Sequence, residues 1–399
     1  MKNSKDIILK PKKDESLLRF HPWVFSGAIA SKPDNLTEGQ VVKVLANDGT
    51  FLGIGHYQIG TIAVRILSFN EVPIDLVFYK KRLQESYSLR VSLGLVRQDN
   101  NAFRLVYGEG DNLPGLIIDI YGNTAVMQAH SIGIHCDREL IITALQKVLP
   151  VGMIQNVFYK SEGTLPFKAN IENEDDYLLG GKNVDNIAVE NGLKFNIDWL
   201  HGQKTGFFVD QRENRKLLEH YAKGRKVLNM FCYTGGFSVY ALRGGAQEVH
   251  SVDSSSKAVM LTNDNVSLNF GNDPRYTSAA EDAFKFLKSM ENDYYDLVIL
   301  DPPAFAKHRG AIKNALQGYK KLNMYAFEKM PKGGVLFTFS CSQAISRDQF
   351  RLAVFSAASL AGVKVRILHQ LSQPADHPIN IYHPEGEYLK GLVLYVEKE

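Results

Sequence analysis

"YDLVILDPPAFAKH", Tyr295–His308, decides how the larger part of this chain folds. An apolar run, Leu297–Leu300, ends on Asp301 and two consecutive prolines. Short runs that are apolar throughout are the mark of strands covered on both faces, as in a parallel sheet. The prolines fix the backbone and remove two N–H donors, so a rigid loop follows the strand and presents Asp301 and Phe305 to whatever lies beyond it. The same rhythm surrounds the stretch. "KVLNMFCY", "EVHSVD" and "RYTSAA" precede it, and "GVLFTFS", "VKVRILHQ" and "LKGLVLYVE" follow, with helix-like stretches between. Strands alternating with helices predict βαβ units and a mainly parallel sheet over residues 191–399.

Upstream the rhythm differs. Residues 71–190 hold a predicted helix, Ile74 to Leu95, then "RLVYGEGDNLPGLIIDIYGNTAVMQ" as two β-type runs with turn punctuation, then a helix over Asp137–Leu149 and further short strands. That is a small α+β unit. Residues 1–70 read as short strands around the Asn47-Asp48-Gly49 turn, a small β-barrel or sandwich.

Composition sets the outer limits. With 399 residues, 45% hydrophobic and 22% charged, the chain is long enough for two or three ordinary domains. No apolar stretch is long enough to span a bilayer, and the start, MKNSKDIILKPKKDE, has no secretory apolar core. Three cysteines (Cys136, Cys232, Cys341) without CxxC spacing predict neither disulfides nor a metal site, and a cytoplasmic location. Cys136 and Cys232 read as packing residues. The net charge of +3 is concentrated in residues 1–70, with nine Lys/Arg against six Asp/Glu. Lys10, Lys12, Lys13 and Arg19 there are candidates for phosphate contacts, and Trp23 and Phe25 of "HPWVF" read as core aromatics.

Parallel α/β sheets bind ligands beyond the carboxyl ends of their strands. After the first strand stands "NMFCYTGGFS", whose Gly235-Gly236 pair allows a tight turn and close approach of a ligand. Asp253 ends the second strand, where a carboxylate can take both ribose hydroxyls. G-x-G-x-x-G is missing, so the pattern suits a nucleoside better than a dinucleotide. Asp282 follows the third strand, as an acceptor for an exocyclic amine or as a helix N-cap. Asp301 follows the fourth. Cys341, in "FTFSCSQ", follows the next strand forty residues later, so Asp301 and Cys341 would stand at neighbouring strand ends roughly 5 Å apart. A thiolate adding to carbon 6 of cytosine makes carbon 5 nucleophilic, and a nearby carboxyl can stabilise the charge that develops. Phe305 could stack on a base. "HGQKTGFFVDQRENRKLL", His201–Leu218, leads into the sheet through a charged helix that could cap a cofactor, with Arg212 available to a carboxylate.

These motifs, in this order, resemble the bacterial large-subunit ribosomal RNA (23S) cytosine-5 methyltransferases, a branch of the class I S-adenosylmethionine-dependent methyltransferases with a Rossmann-like sheet. "LKPKKDESLLRFHPWVFSGAI" is similar to the family's RNA-binding PUA domain and "RLVYGEGDNLPGLIIDIYG" to its central domain. "KTGFFVDQRENR", "VLNMFCYTGGFSVYAL", "VDSSSKAV", "DPPAFAKH", "SCS" and "ADHPINIYHPEGEYLKGL" are similar to its catalytic domain. The resemblance implies S-adenosylmethionine held by Phe207, Asp210 and Arg212, by Asn229, Phe231, Tyr233, Thr234, Gly235 and Gly236, and by Asp253, Ser254, Glu281, Asp282, Asp301 and Pro302. It implies Cys341 as the nucleophile beside Asp301, Pro303 and Phe305 at the target base, and ribosomal RNA as the partner, with no metal and no membrane; a homodimer stays open.

Two other readings remain at this point. The same cofactor could methylate a guanine or adenine nitrogen, with Cys341 only a packed thiol. The chain could also be a non-catalytic RNA-binding factor with a degenerate α/β domain.

Overall fold

The computed structural model describes residues 5–166, 174–182, 184–306 and 308–398, and the backbone divides into two compact units. One comprises Met1–Gly192, Ile197–Val209 and Ala375–Gly386, the other Leu193–Asn196, Asp210–Pro374 and Glu387–Glu399. Ile197–Val209 and Ala375–Gly386 thus pack with the N-terminal part of the chain, although they lie within the span read as catalytic.

The first unit holds two sheets. Six short strands run in the order Trp23–Phe25, Ile62–Ser68, Phe51–Tyr57, Val41–Leu45, Lys5–Leu9 and Ile29–Ser31. Alternation works as expected: Ile7, Leu9, Val42, Val44 and Val64 point inward and are at most 1% exposed. Thr50 N–H donates to Asp48 Oδ1 in the Asn47-Asp48-Gly49 turn. Trp23 is only half-buried and Phe25 is 41% exposed, which corrects the reading of this pair as core. Trp23 instead carries its indole N–H to Glu109 Oε1 at 2.8 Å.

The second sheet of this unit has five strands, Asp176–Leu179, Asn156–Tyr159, Thr124–Ala129, Leu116–Tyr121 and Ala102–Tyr107. The stretch read as two runs forms three strands, because Gly122 (φ 59°) and Asn123 close a tight hairpin between Tyr121 and Thr124. Its helices are Leu76–Ser92, N-capped by Asp75, and Arg138–Val148. Cys136 is exposed, so it is not the packing residue expected.

The unit is locked by a buried ion pair. Arg90 (0% exposed) donates to both oxygens of Asp111, and its other donors reach the Arg104 and Asp376 carbonyls. Asp376 in turn accepts from the Arg104 backbone N–H, so "ADHP" anchors Ala375–Gly386 here.

The second unit is the alternating sheet. Its strands are β1 (Lys226–Met230), β2 (Glu248–Asp253), β3 (Tyr276–Ala280), β4 (Leu297–Leu300), β5 (Val335–Ser340), β6 (Lys364–Leu371) and β7 (Lys390–Glu397). Their order is 3-2-1-4-5-7-6. The first five are parallel, and β7 is antiparallel to both β5 and β6. Helices α1 (Arg212–Ala222), α2 (Gly236–Arg243), α3 (Ser256–Phe270), α4 (Ala283–Ser289), α5 (Ile312–Lys329) and α6 (Arg347–Leu360) connect them. The strand order reverses between β1 and β4, the switch point at which such sheets open a cleft.

Replacing Asp111 with Ala leaves the Arg90 guanidinium buried without its carboxylate. We expect about 3–5 kcal/mol of lost stability, read as a lower urea midpoint for the full chain.

Candidate active site

The loop after β1 is built around unusual backbone. Phe231 (φ 59°), Tyr233 (φ 46°) and Gly235 (φ 75°) are all left-handed. A Cβ on Gly235 would come within 2.4 Å of Thr262 Cγ2, and one on Gly236 within 2.8 Å of Arg215 Cδ. Both glycines are therefore required by space, and strained side-chain-bearing residues of this kind concentrate at ligand sites. The loop's carbonyls are tied back to α3: Thr262 Oγ1 donates to Tyr233 O and Asn265 Nδ2 to Thr234 O. Asn229 is buried and donates to Ser238, so its amide braces α2 from behind the loop.

Asp253 ends β2 half-buried. Its two oxygens accept from the Tyr233 and Ser255 backbone N–H groups at 3.2 and 2.9 Å. Each carboxylate oxygen keeps a second lone pair for a ribose hydroxyl. Ser254, Glu281 and Asp282 are exposed at the neighbouring strand ends. Asp282 caps α4 through Lys285 N–H, one of the two roles expected of it.

β4 and β5 are adjacent parallel strands, and this brings Asp301 and Cys341 together as their spacing suggested. The Cys341 Sγ lies 3.9 Å from the Pro302 carbonyl. The serines on either side of it are fixed. Ser340 Oγ donates to the Tyr319 hydroxyl at 3.0 Å, and Ser342 Oγ is 3.0 Å from the same hydroxyl and accepts from Ala306 N–H. The cysteine turn and the Asp-Pro-Pro loop are thereby held as one body.

Asp301 accepts from Gln211 Nε2 at 3.0 Å. Burial, reinforced by the charge of Asp210, pushes its carboxyl up to about 7, against the opposing effects of Gln211 and Arg215. Burial and the same two carboxylates push the Cys341 thiol up to about 12, with Lys390 pulling the other way. Asp210 accepts from the Tyr388 hydroxyl at 2.5 Å, and its second oxygen is buried without a partner among the described residues. That orphan oxygen, the left-handed glycine bend and the ribose-type carboxylate fit a nucleoside-bearing, cationic cofactor.

Other expected residues stand differently. α1 is two-faced, with Glu213, Lys216 and His220 exposed and Arg212, Asn214 and Arg215 turned inward, and Arg212 Nε donates to Glu213. Phe207 belongs to the first unit, buried, with its carbonyl accepting from Tyr121. Phe305 packs on Tyr319 (4.7 Å between rings) and Phe284 at the margin of the core and is itself only partly buried. Pro302 is buried and Pro303 exposed on the loop. Lys10, Lys12, Lys13 and Arg19 are exposed, with Lys10 Nζ donating to the Gly27 carbonyl. Gln211, Arg215, Tyr319, Tyr388 and Lys390 were not singled out from sequence. Gln211 and Arg215 sit in the quoted "VDQRENR" stretch, whose polar residues at helical spacing were the available signal.

A separate grouping in the first unit, His21, His383 and Glu385, brings three ligand-type atoms within 4.8 Å of one another. Trp23 N–H donates to His21 Nδ1, so the neutral ring carries its proton on Nε2, the atom 3.5 Å from Glu385. That atom then has no lone pair for a metal.

Comparison with known proteins gives a consistent picture. Residues 170–380 match the model of the S-adenosylmethionine-dependent methyltransferase family, and residues 7–69 match a PUA-like domain. The chain is 40% identical to "Ribosomal RNA large subunit methyltransferase I" of Alteromonas mediterranea, covering 98% of this chain and 99% of that one. It is 36% identical to the protein of the same name from Escherichia coli, over 98% and 99%. Among solved structures, a chain described as a SAM-dependent methyltransferase from Streptococcus mutans superposes with a TM-score of 0.82 at 23% identity, over 98% and 99% of the two chains. Another, described as a methyltransferase complexed with SAH, does so with 0.83 at 24%, over the same shares.

The raised Asp301 carboxyl carries a stability signature. Its folded value lies above the unfolded one, so its contribution is complete below about pH 4 and is lost as pH rises towards about 7. Asp301→Asn should melt higher than the parent at pH 8, and the gap should close towards pH 5 in thermal scans.

Proposed function

Because this chain belongs to the family of ribosomal RNA large subunit methyltransferase I, as two relatives covered almost end to end show, we propose that it methylates carbon 5 of a cytosine in large-subunit ribosomal RNA through a covalent adduct of Cys341. It is an S-adenosylmethionine-dependent methyltransferase with a PUA-like domain ahead of its catalytic sheet. Among the described residues no helix is long and apolar enough to cross a membrane.

One observation carries the choice of atom. The thiol of Cys341 stands against the carbonyl of Pro302 on the loop that Asp301 opens, half-buried and not packed away in hydrocarbon. Methylation of an exocyclic nitrogen has no use for a sulfur there. Methylation of carbon 5 needs one, because the ring carbon becomes nucleophilic only after addition at carbon 6. Asp301, held near about 7, can be protonated at neutral pH and so can donate to the pyrimidine N3 as charge builds on the ring. When bound, S-adenosylmethionine supplies an electrophilic methyl group. Asp253 and the Gly235 bend would hold its nucleoside, and the free oxygen of Asp210 would face its cationic part.

The exposed bases of the N-terminal part support an RNA backbone contact. Their value is positional and electrostatic, not sequence-reading.

Cys341→Ser should lose methyl transfer by at least a hundredfold while S-adenosylmethionine affinity, measured by calorimetry, stays within a few-fold. Mass spectrometry of RNA digests should place the wild-type methyl on carbon 5 of cytidine. A Cys341→Ser enzyme that still turns over, or a methyl found on a ring or exocyclic nitrogen, rejects the reading. Separately, alanine at Lys10, Lys12, Lys13 and Arg19 together should reduce the slope of log affinity against log salt by about 3, read by filter binding; an unchanged slope removes these four from the RNA contact.

A further inference from the structure

A thiol that attacks carbon 6 must lose its proton, and nothing above receives it. The groups facing Cys341 come from four elements. Asp210, before α1, and Asp301, after β4, are carboxylates that repel a thiolate. Tyr319 on α5 is a buried phenol already bonded to Ser340 and Ser342, and burial raises it further, so it stays protonated and cannot take a proton. The fourth element is β7.

β7 pairs with β5 in a register that sets Lys390 opposite Ser340, one residue before the cysteine. Its side chain runs beneath the turn. Lys390 is 4% exposed, and its Nζ donates to the Ser342 carbonyl at 2.8 Å, so the amine lies under the residue that follows Cys341. The charged neighbours of Lys390 are Glu387 and Arg347, which pair with each other at 2.5 Å and so offset one another. A buried ammonium whose neighbourhood supplies one carbonyl and a self-neutralised ion pair is poorly compensated.

We propose that Lys390 is the proton acceptor for Cys341: as sulfur bonds to carbon 6, the S–H bond breaks, its proton passes to the neutral Lys390 amine, the S–H electron pair becomes the S–C bond, the C5=C6 π pair moves to C4–C5, and the C4=N3 pair moves to N3, which takes the Asp301 proton. The amine's lone pair forms the new N–H bond, so no other reactant is needed. When the adduct collapses, the sulfur leaves as thiolate and the ammonium returns the proton. The inference rests on Cys341 being the nucleophile, and Lys390 acts on the substrate only through it.

The electrostatics agree with this division of labour. Burial holds Lys390 down to about 8, which leaves a usable fraction of free amine at neutral pH. The thiol, pushed up to about 12, does not ionise unaided, so the empty site holds a thiol beside a lysine that is only partly free amine, and the proton moves only when sulfur finds an electrophile.

The test uses the full chain without RNA or cofactor. Iodoacetamide alkylation of Cys341 is followed from pH 6.5 to 9.5 by peptide mass spectrometry, which separates it from Cys136 and Cys232. The wild-type rate should rise through a limb near pH 8. Lys390→Met and Lys390→Arg should both lose that limb and react at least tenfold more slowly at pH 8.5. Arginine keeps the positive charge but cannot accept a proton, so a Lys390→Arg protein that alkylates like the parent overturns the proposal. So does a wild-type profile without the limb, a result that stands even if neither variant folds. Retained methyl transfer by Cys341→Ser would overturn the nucleophile reading instead, while leaving the alkylation profile as it is.

Discussion

The Tyr319 hydroxyl is the contact on which the site depends. It meets Ser340 and Ser342 from below, and Ser342 also takes the backbone N–H of Ala306. Two loops that follow separate strands are thereby joined through one fully buried phenol. Each bond alone contributes about 1 kcal/mol, but all the atoms are buried, and losing any one would leave a polar group without water or partner. The outcome is a cysteine whose neighbours on both sides are immobilised while its own sulfur is left for chemistry.

Around that fixed sulfur the charges are arranged against spontaneous ionisation. Burial and the carboxylates of Asp301 and Asp210 favour the thiol, and burial together with Asp210 favours a protonated Asp301. A site of this kind stores reactivity instead of displaying it. A permanently ionised thiolate would be open to any small oxidant or alkylating agent, since thiolate character governs that chemistry.

How much of this the sequence disclosed follows from the range of the interactions. Strands β1, β4, β5 and β7 of the catalytic sheet were readable because strands buried on both faces are mostly apolar and need no partner to be recognised, whereas the edge strands β3 and β6 are polar or alternating and were readable from their place in the rhythm. Asp301 and Cys341 could be paired because neighbouring parallel strands place their ends side by side. The Gly235-Gly236 bend and the Asp253 carboxylate followed from the same rule. What stayed hidden depends on contacts between distant residues. Gln211 reaches Asp301 across ninety positions, and Tyr388 reaches Asp210 across 178. Lys390 becomes interesting only once β7 is known to lie beside β5, and an antiparallel last strand carries no local mark of its neighbours. Phe25, expected in the core, stands exposed, and Phe305 leans on the core while only partly buried. Hydrophobicity says that a ring seeks apolar surface, but not whether a core or a ligand provides it. The inward-turned Arg212 and Arg215 ran against the ordinary expectation that a charged helix faces water.

The position of β7 has a bearing on how the enzyme comes into being. This strand, Lys390–Glu397, is inserted between β5 and β6, although it follows both in the chain. Until β7 takes its place, β5 and β6 have no strand between them, and the turn bearing Cys341 lacks the lysine beneath it. Domains ordinarily fold as they emerge, N-terminal part first. Here the turn that carries Cys341 gains the Lys390 amine only once β7 has joined the sheet, so a chain cut before Lys390 keeps the cysteine and lacks that amine.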